Sequence, residues 1–172
     1  MHHYRDPREI SAEVKGLLQQ KVRRREPRLQ PVVDLLYRGR HYRTVVLYLP
    51  ASGNCSAVAF RGVGEMAADC IAHGDDCDSE VKTALSLPSA ANGVPAPAER
   101  VIVPVSIGQN VLGAIKVLAE EDHTLSLRDQ LLIREVAREV ALFLTGKGRY
   151  ILRKLARYRA AEPKQQELSK AA

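Results

Sequence analysis

Two apolar runs constrain this chain more than any other feature. Val101-Ile102-Val103-Pro104-Val105-Ser106-Ile107 and Val111-Leu112-Gly113-Ala114-Ile115-Lys116-Val117-Leu118 flank the turn residues Gly108-Gln109-Asn110. Short β-branched runs bounded by turn residues read as strands, and a three-residue link containing glycine joins antiparallel neighbours in a hairpin. Pro104 cannot donate to a ladder, so its amide side must face a bulge or an unpaired position. A hairpin of this kind presents an apolar face that other elements have to cover.

The flanking segments supply the covering helices. Ser126 with Asp129 three residues later resembles a capping box, and Leu132, Val136, Val140 and Leu144 then recur every four residues. At the other end Ile10, Val14, Leu17, Leu18 and Val22 mark one helix face, with Pro7 in a plausible first turn. Arg23, Arg24, Arg25 and Pro27 end that pattern. A second short helix is expected to start near Pro31, to carry Val32, Leu35 and Leu36, and to stop at Gly39.

From Thr44 the period changes to that of a strand. Thr44-Val45-Val46-Leu47-Tyr48-Leu49 is continuous and apolar, as in a strand covered on both faces, and Pro50 closes it. Ala51 to Asn54 supplies a turn. Cys55 to Arg61 then alternates, which predicts Val58 and Phe60 on one face and Ala57 and Ala59 on the other. Between the hairpins, residues 62–99 hold four glycines, three prolines and the acidic patch Asp75, Asp76, Asp78 and Glu80. So long an irregular stretch inside a domain is more often a functional loop than a connector. A short helix is expected from Ser79 to Leu87, and a basic one from Tyr150 to Ala161.

The chain of 172 residues therefore divides into a helical extension over 1–43, an α+β domain over 44–145, and a basic helix and tail over 146–172. The segments 1–43, 44–119 and 120–172 carry 11 Lys/Arg against 5 Asp/Glu, 4 against 7, and 11 against 8, so the flanks are basic and the middle is acidic. Apolar residues at 45% and charged residues at 27% exclude a disordered chain. No stretch approaches the roughly 18 apolar residues of a bilayer span, the N-terminus has no signal pattern, and a cytoplasmic protein without membrane contact is expected. Cys55, Cys70 and Cys77 are few and odd in number, which argues against a secreted disulfide framework and fits a reducing compartment.

The second half resembles the GAF family. That family pairs a Val-Ile-Val-Pro-Val type strand with a Gly-containing turn, a Val-x-Gly-x-Ile strand, an acidic stretch and a Ser-x-x-Asp-started helix. Here these are Arg100 to Ile107, Gly108 to Asn110, Val111 to Leu118, Glu120 to Asp122, and Ser126 to Leu144. The first hairpin matches only as a generic apolar one. The resemblance implies an antiparallel sheet of five or six strands, terminal helices packed on one face, and a small-molecule pocket between the other face and the variable middle. It implies a binding, sensory or signalling module that lacks its own output domain and passes its signal to a protein partner. The Asn-Lys-x-Phe-Asp-Glu signature tied to cyclic nucleotides is absent, as is the Cys-His pair that holds a bilin, so ligand and cofactor stay open.

The expected pocket lining is Phe60, Met66, Cys70, His73, Val103 and Val105, which combine loop freedom with an apolar surface and a few polar groups. Lys116 interrupts an apolar strand and either faces an anionic ligand or snorkels on a partly solvated face, the second being the commoner case. Cys70, His73 and Cys77 share one face at helical spacing, but Gly74-Asp75-Asp76 is poor helix material and no Cys-x-x-Cys pair occurs, so metal is not assigned. An alternative function is that of the free methionine-(R)-sulfoxide reductases of the same family, which use a nucleophilic and a resolving cysteine. Their Cys-x-Arg-Ile-Pro and Val-Cys-Gly motifs have no counterpart here, and no cysteine falls in the loop before Val101.

A third function, nucleic-acid contact through Lys21 to Arg28 and Lys147 to Arg159, is set below a solvated-face reading because no recognition motif accompanies the charge. The two helical stripes exceed what one side of a small sheet needs, and a homodimer through the terminal helices is expected.

Overall fold

Side-chain alternation along four strands decides what the helices cover. The computed structural model describes residues 4–19, 29–51, 54–62, 81–82 and 98–146. These form helix α1 (Pro7–Gln19), helix α2 (Leu29–Arg40), strands β1 (Thr44–Ala51), β2 (Asn54–Gly62), β3 (Arg100–Ile107) and β4 (Asn110–Leu118), and helix α3 (Leu127–Thr145). The strands lie in the order β2-β1-β4-β3 with every pair antiparallel. Both hairpins therefore form as the turn residues imply, and they join edge to edge through β1 and β4.

One face carries Val45, Leu47, Val103, Val105, Ile115 and Val117, and all six lie in a core shared with the three helices. Ile10 and Val14 of α1, Val32 and Leu36 of α2, and Leu132, Val136 and Val140 of α3 complete it. Each such side chain contributes about 1.5–3 kcal/mol when fully withdrawn from water. The α3 stripe Leu132, Val136, Val140 and Leu144 is thus buried within one chain, while of the α1 stripe Ile10 and Val14 are buried and Leu18 is partly buried against the same core. The apolar side chains left on the outside of α3 are Leu127, Leu131 and Leu142, each about half exposed.

The opposite face, called here the far face, carries Val46, Tyr48, Cys55 and Ala114, with Val81 from the middle stretch buried against them. Ala57, Phe60 and Ile102 pack around this cluster. No helix among the described residues is long and apolar enough to cross a membrane.

Three local expectations are corrected. In β2 the register shifts between Leu47 and Tyr48, so that Leu47 faces Ala59 while Tyr48 faces Ala57. Val58 is the extra residue of a bulge, and Val58 and Ala59 both lie with the helix-side core, while Ala57 and Phe60 lie on the far face. Strict alternation fails there because a bulge sets two residues against one.

Helix α2 runs one residue past the expected stop at Gly39 and ends at Arg40. Gly39 lies inside the helix, where a Cβ would come within 2.7 Å of Ile10 Cδ1, so its role is the close approach of α1. His41, with φ 54°, takes the left-handed position instead. The same helix starts at Leu29 rather than Pro31, which places the proline in the first turn, where amides have no intrahelical acceptor anyway. The short helix around residues 79–87 is described only at Val81 and Lys82, which are helical. Val22, Arg23 to Arg25, Pro27 and the basic helix from Tyr150 lie outside the described residues.

Pro104 pairs opposite Ala114, and β3 is bonded on one side only among the described strands. The outward edge of such a strand is where a missing amide hydrogen costs nothing.

Candidate functional site

The far face is built from two transverse rows. Cα registers place Phe60 (β2), Val46 (β1), Lys116 (β4) and Ile102 (β3) in one row across the sheet. Ala57, Tyr48, Ala114 and Pro104 form the next. Directly opposed residues in antiparallel strands project to the same side, with neighbouring strands about 4.8 Å apart. The second row is small on both sides of Tyr48, so the sheet offers a low strip beside the row that contains Lys116.

Lys116 is the one charged residue in either row, and it is only 7% exposed. The snorkelling reading on a partly solvated face is therefore corrected: the side chain is enclosed. Lys116 has a polar partner within the chain, as an enclosed ammonium requires, because its transfer out of water costs far more than that of an apolar group. The lysine stem is apolar and matches Val46 and Ile102 beside it.

Cys55, 3% exposed, lies in the same far-face cluster and is disulfide-bonded. The cysteine count argues against such a bond only weakly. An odd number leaves one thiol over but does not prevent two others from pairing.

Of the expected pocket lining, Phe60 and Lys116 fall in one row. Val103 and Val105 do not join them. Both belong to the helix-side core, because on β3 it is Ile102 and Pro104 that share parity with Lys116 across the β3–β4 ladder. Met66, Cys70 and His73 lie outside the described residues, as does the Cys70, His73, Cys77 constellation. Val46, Tyr48, Ala57, Ile102 and Ala114 are residues that sequence reasoning missed. The signal that finds them is parity with Lys116, available once the two hairpins are known to join through β1 and β4.

A second feature ties the helices to the sheet. The Asp129 carboxylate accepts from Arg40 Nε at 2.8 Å and from the Tyr42 hydroxyl at 3.0 Å, and Arg40 Nη2 lies 2.7 Å from the same oxygen. Its other oxygen accepts from the Ser126 amide at 3.0 Å and from the Ser126 hydroxyl, completing the capping box of α3. Arg40 also donates to the Arg5 carbonyl at 3.0 Å and sits 5.0 Å from the centroid of the Tyr4 ring. Burial pushes the Asp129 carboxyl up, but the Ser126, Arg40 and Tyr42 hydrogen bonds and the guanidinium charge outweigh it and hold the group below its ordinary value. Burial and the adjacent carboxylate push the Tyr42 phenol up. With both acids committed to each other and to Arg40, this knot is structural.

An open cleft of about 220 Å³ lies at the end of α2, lined by Tyr37, Arg38, His41, Tyr42 and Glu120. Tyr42 is already engaged by Asp129, and the cleft contains none of the far-face residues. It does not define the site.

An antiparallel sheet with helices on one face defines an α+β module, and its other face carries the row that holds Lys116. Comparison with solved structures makes this specific: the fold is GAF-like. The chain is similar to the A. aeolicus nlh2 GAF domain in an inactive state (12% identity, TM-score 0.57, covering 81% of this chain and 96% of that one). It is similar to the native GAF domain of the Escherichia coli potassium sensor histidine kinase KdpD (17%, 0.54, 80% and 92%). The free methionine-R-sulfoxide reductase of Neisseria meningitidis in complex with its substrate also shares the fold (12%, 0.55, 84% and 96%). No family model and no curated protein matches the sequence.

Proposed function

We propose that the chain is a small-molecule-binding module of sensory or signalling type, and that its ligand is a small organic anion held against the far face with Lys116 directed at the anionic group. The observation that carries this is the enclosed lysine in a row otherwise made of Phe60, Val46 and Ile102. Ligand sites are mostly apolar, with a few polar groups that fix orientation, and an ammonium in a dry setting attracts a carboxylate more strongly than one in water. Structures of the same fold include a GAF domain of a sensor kinase, which supports the sensory half of the reading.

The test is a thermal-shift titration with a panel of small carboxylates and phosphate esters on the parent and on Lys116→Met. Methionine keeps the length and the apolar stem while removing the charge. A ligand at about 100 times its Kd stabilises the parent by about 2.7 kcal/mol, and the variant is expected to lose that gain. Equal shifts in both proteins would remove Lys116 from the site.

A second reading, a thiol-dependent sulfoxide reductase, is favoured by the disulfide at Cys55 and by the reductase structures that share the fold. Asp69, Asp75, Asp76 and Asp78 neighbour Cys70 and Cys77 in sequence, and negative charge disfavours the thiolate that such a reaction needs. Supplied with free methionine-(R)-sulfoxide and a thioredoxin-type reductant, the protein is expected to release no methionine. Turnover that Cys70→Ser or Cys77→Ser abolishes would put the enzyme reading first.

A further inference from the structure

The outer strands of the described sheet, β2 and β3, guard their edges differently. β3 carries Pro104, which withholds an amide hydrogen, whereas β2 contains no proline. Phe60 of β2 faces Val46 of β1, and one side chain takes both polar groups of the Phe60 backbone. The Phe60 amide donates to Gln30 Oε1 at 3.0 Å, and Gln30 Nε2 donates to the Phe60 carbonyl at 2.8 Å. Gln30 stands in the first turn of α2, so these bonds close over a separation of 30 positions. A carboxamide has the planar donor-and-acceptor frame of a peptide group, and here it fills the place that a residue of a further strand would take. Its orientation is fixed by Asp34, whose carboxylate accepts from Gln30 Nε2 at 3.1 Å and has no hydrogen to offer the carboxamide oxygen.

We propose that Gln30 is an autoinhibitory plug: it holds shut the outer edge of β2, a strand-pairing surface whose occupant, once the carboxamide leaves, is the β2 edge of a second copy of this chain. Such pairing goes beyond the binding role and is independent of any ligand on the far face. β2 carries one charged side chain, Arg61, and Asp34 lies 3.8 Å from its Nε. Two copies can therefore meet edge to edge without unopposed like charge, which would otherwise disfavour the pair. The segment Ala57-Val58-Ala59-Phe60 beside it is apolar throughout. A strand edge with neither proline nor lysine of its own is a template for another strand.

The plug is also displaceable. Gln30 is exposed, and so is its contact with Phe60, so a competing peptide group can reach both bonds. One side chain supplies a single pair of hydrogen bonds. A paired antiparallel strand supplies such a pair at every second residue.

The experiment measures backbone amide exchange by NMR and mass by light scattering on the full chain, for the parent, Gln30→Met and Gln30→Ala, over a range of protein concentration. Methionine keeps the length of the side chain and removes its donor and acceptor, and because Gln30 is exposed neither change opens the core. In dilute solution the Phe60 amide is expected to exchange about 2- to 10-fold faster in both variants than in the parent, the worth of one lost hydrogen bond. As concentration rises, both variants are expected to reach twice the mass of the parent species and to regain protection along β2, while the parent does neither. A Phe60 amide that exchanges at the parent's rate in the dilute variants overturns the plug. Variants that keep the parent's mass at every concentration overturn the second copy as occupant, as does association that leaves the β2 amides unprotected. A parent that gains β2 protection on concentration, with Gln30 in place, contradicts the autoinhibition.

Discussion

Asp129→Ala is expected to lower folding stability by about 3 kcal/mol, the largest effect of any single polar substitution in the described structure. The residue is only 6% exposed and receives Arg40, Tyr42 and both the amide and the hydroxyl of Ser126. Its removal strands the Arg40 guanidinium, 12% exposed, and the buried Tyr42 hydroxyl, and it undoes the capping box of α3. Urea denaturation measures the loss, and a double-mutant cycle with Tyr42→Phe should show coupling well outside error.

The pH dependence follows from the depressed carboxyl. A group whose folded pKa lies below its unfolded value of about 3.9 contributes stability that is complete above that value and is lost as pH falls through the folded pKa. The gap between the parent and Asp129→Asn should therefore be widest near neutrality and close in acid. A gap that stays constant down to acid pH would mean that the charge contributes nothing.

Gly113→Ala carries the second large effect, about 2 kcal/mol of destabilisation. A Cβ at this position would be driven into the Tyr48 carbonyl oxygen and would come within 2.8 Å of Leu49 Cδ2. The oxygen belongs to the β1 backbone next to the last β1–β4 pair, Tyr48 with Ala114, and cannot retreat without opening the ladder that joins the two hairpins. Leu112 beside it is the extra residue of a bulge, since Val105 faces Gly113 and Ser106 faces Val111. Gly16 is the internal control: it sits in α1, where an added Cβ would have nothing within 4 Å, and Gly16→Ala is expected to stabilise by about 0.5–1 kcal/mol. The same chemical change thus carries opposite signs at the two sites. Equal signs in a denaturation series would refute the close approach at Gly113.

What the sequence disclosed and what it hid have different physical origins. Strand runs, the capping box at Ser126 and the four-residue stripe of α3 are local signals, and the elements they predict are present. The GAF-like arrangement follows from their order. Facing is harder. On β3, continuous apolar character from Val101 to Val105 does not reveal which parity meets the helices, and Val103 and Val105 turn out to face them rather than the far side. On β2 a bulge at Val58 breaks the alternation, and no residue there signals it.

Lys116 is legible as an oddity in an apolar strand. Its enclosure is not, because burial depends on what covers the face and not on the strand itself. The Arg40–Asp129 pair joins residues 89 positions apart, and only the Asp129–Ser126 half of that knot is visible as a motif.

The central claim, that Lys116 anchors a small anion on the far face, is tested most directly by native mass spectrometry of freshly purified protein. The account predicts a single added mass, of small-molecule size, on the parent and its absence from Lys116→Met prepared in the same way. A parent at its bare chain mass, or an added mass that Lys116→Met retains, would contradict it.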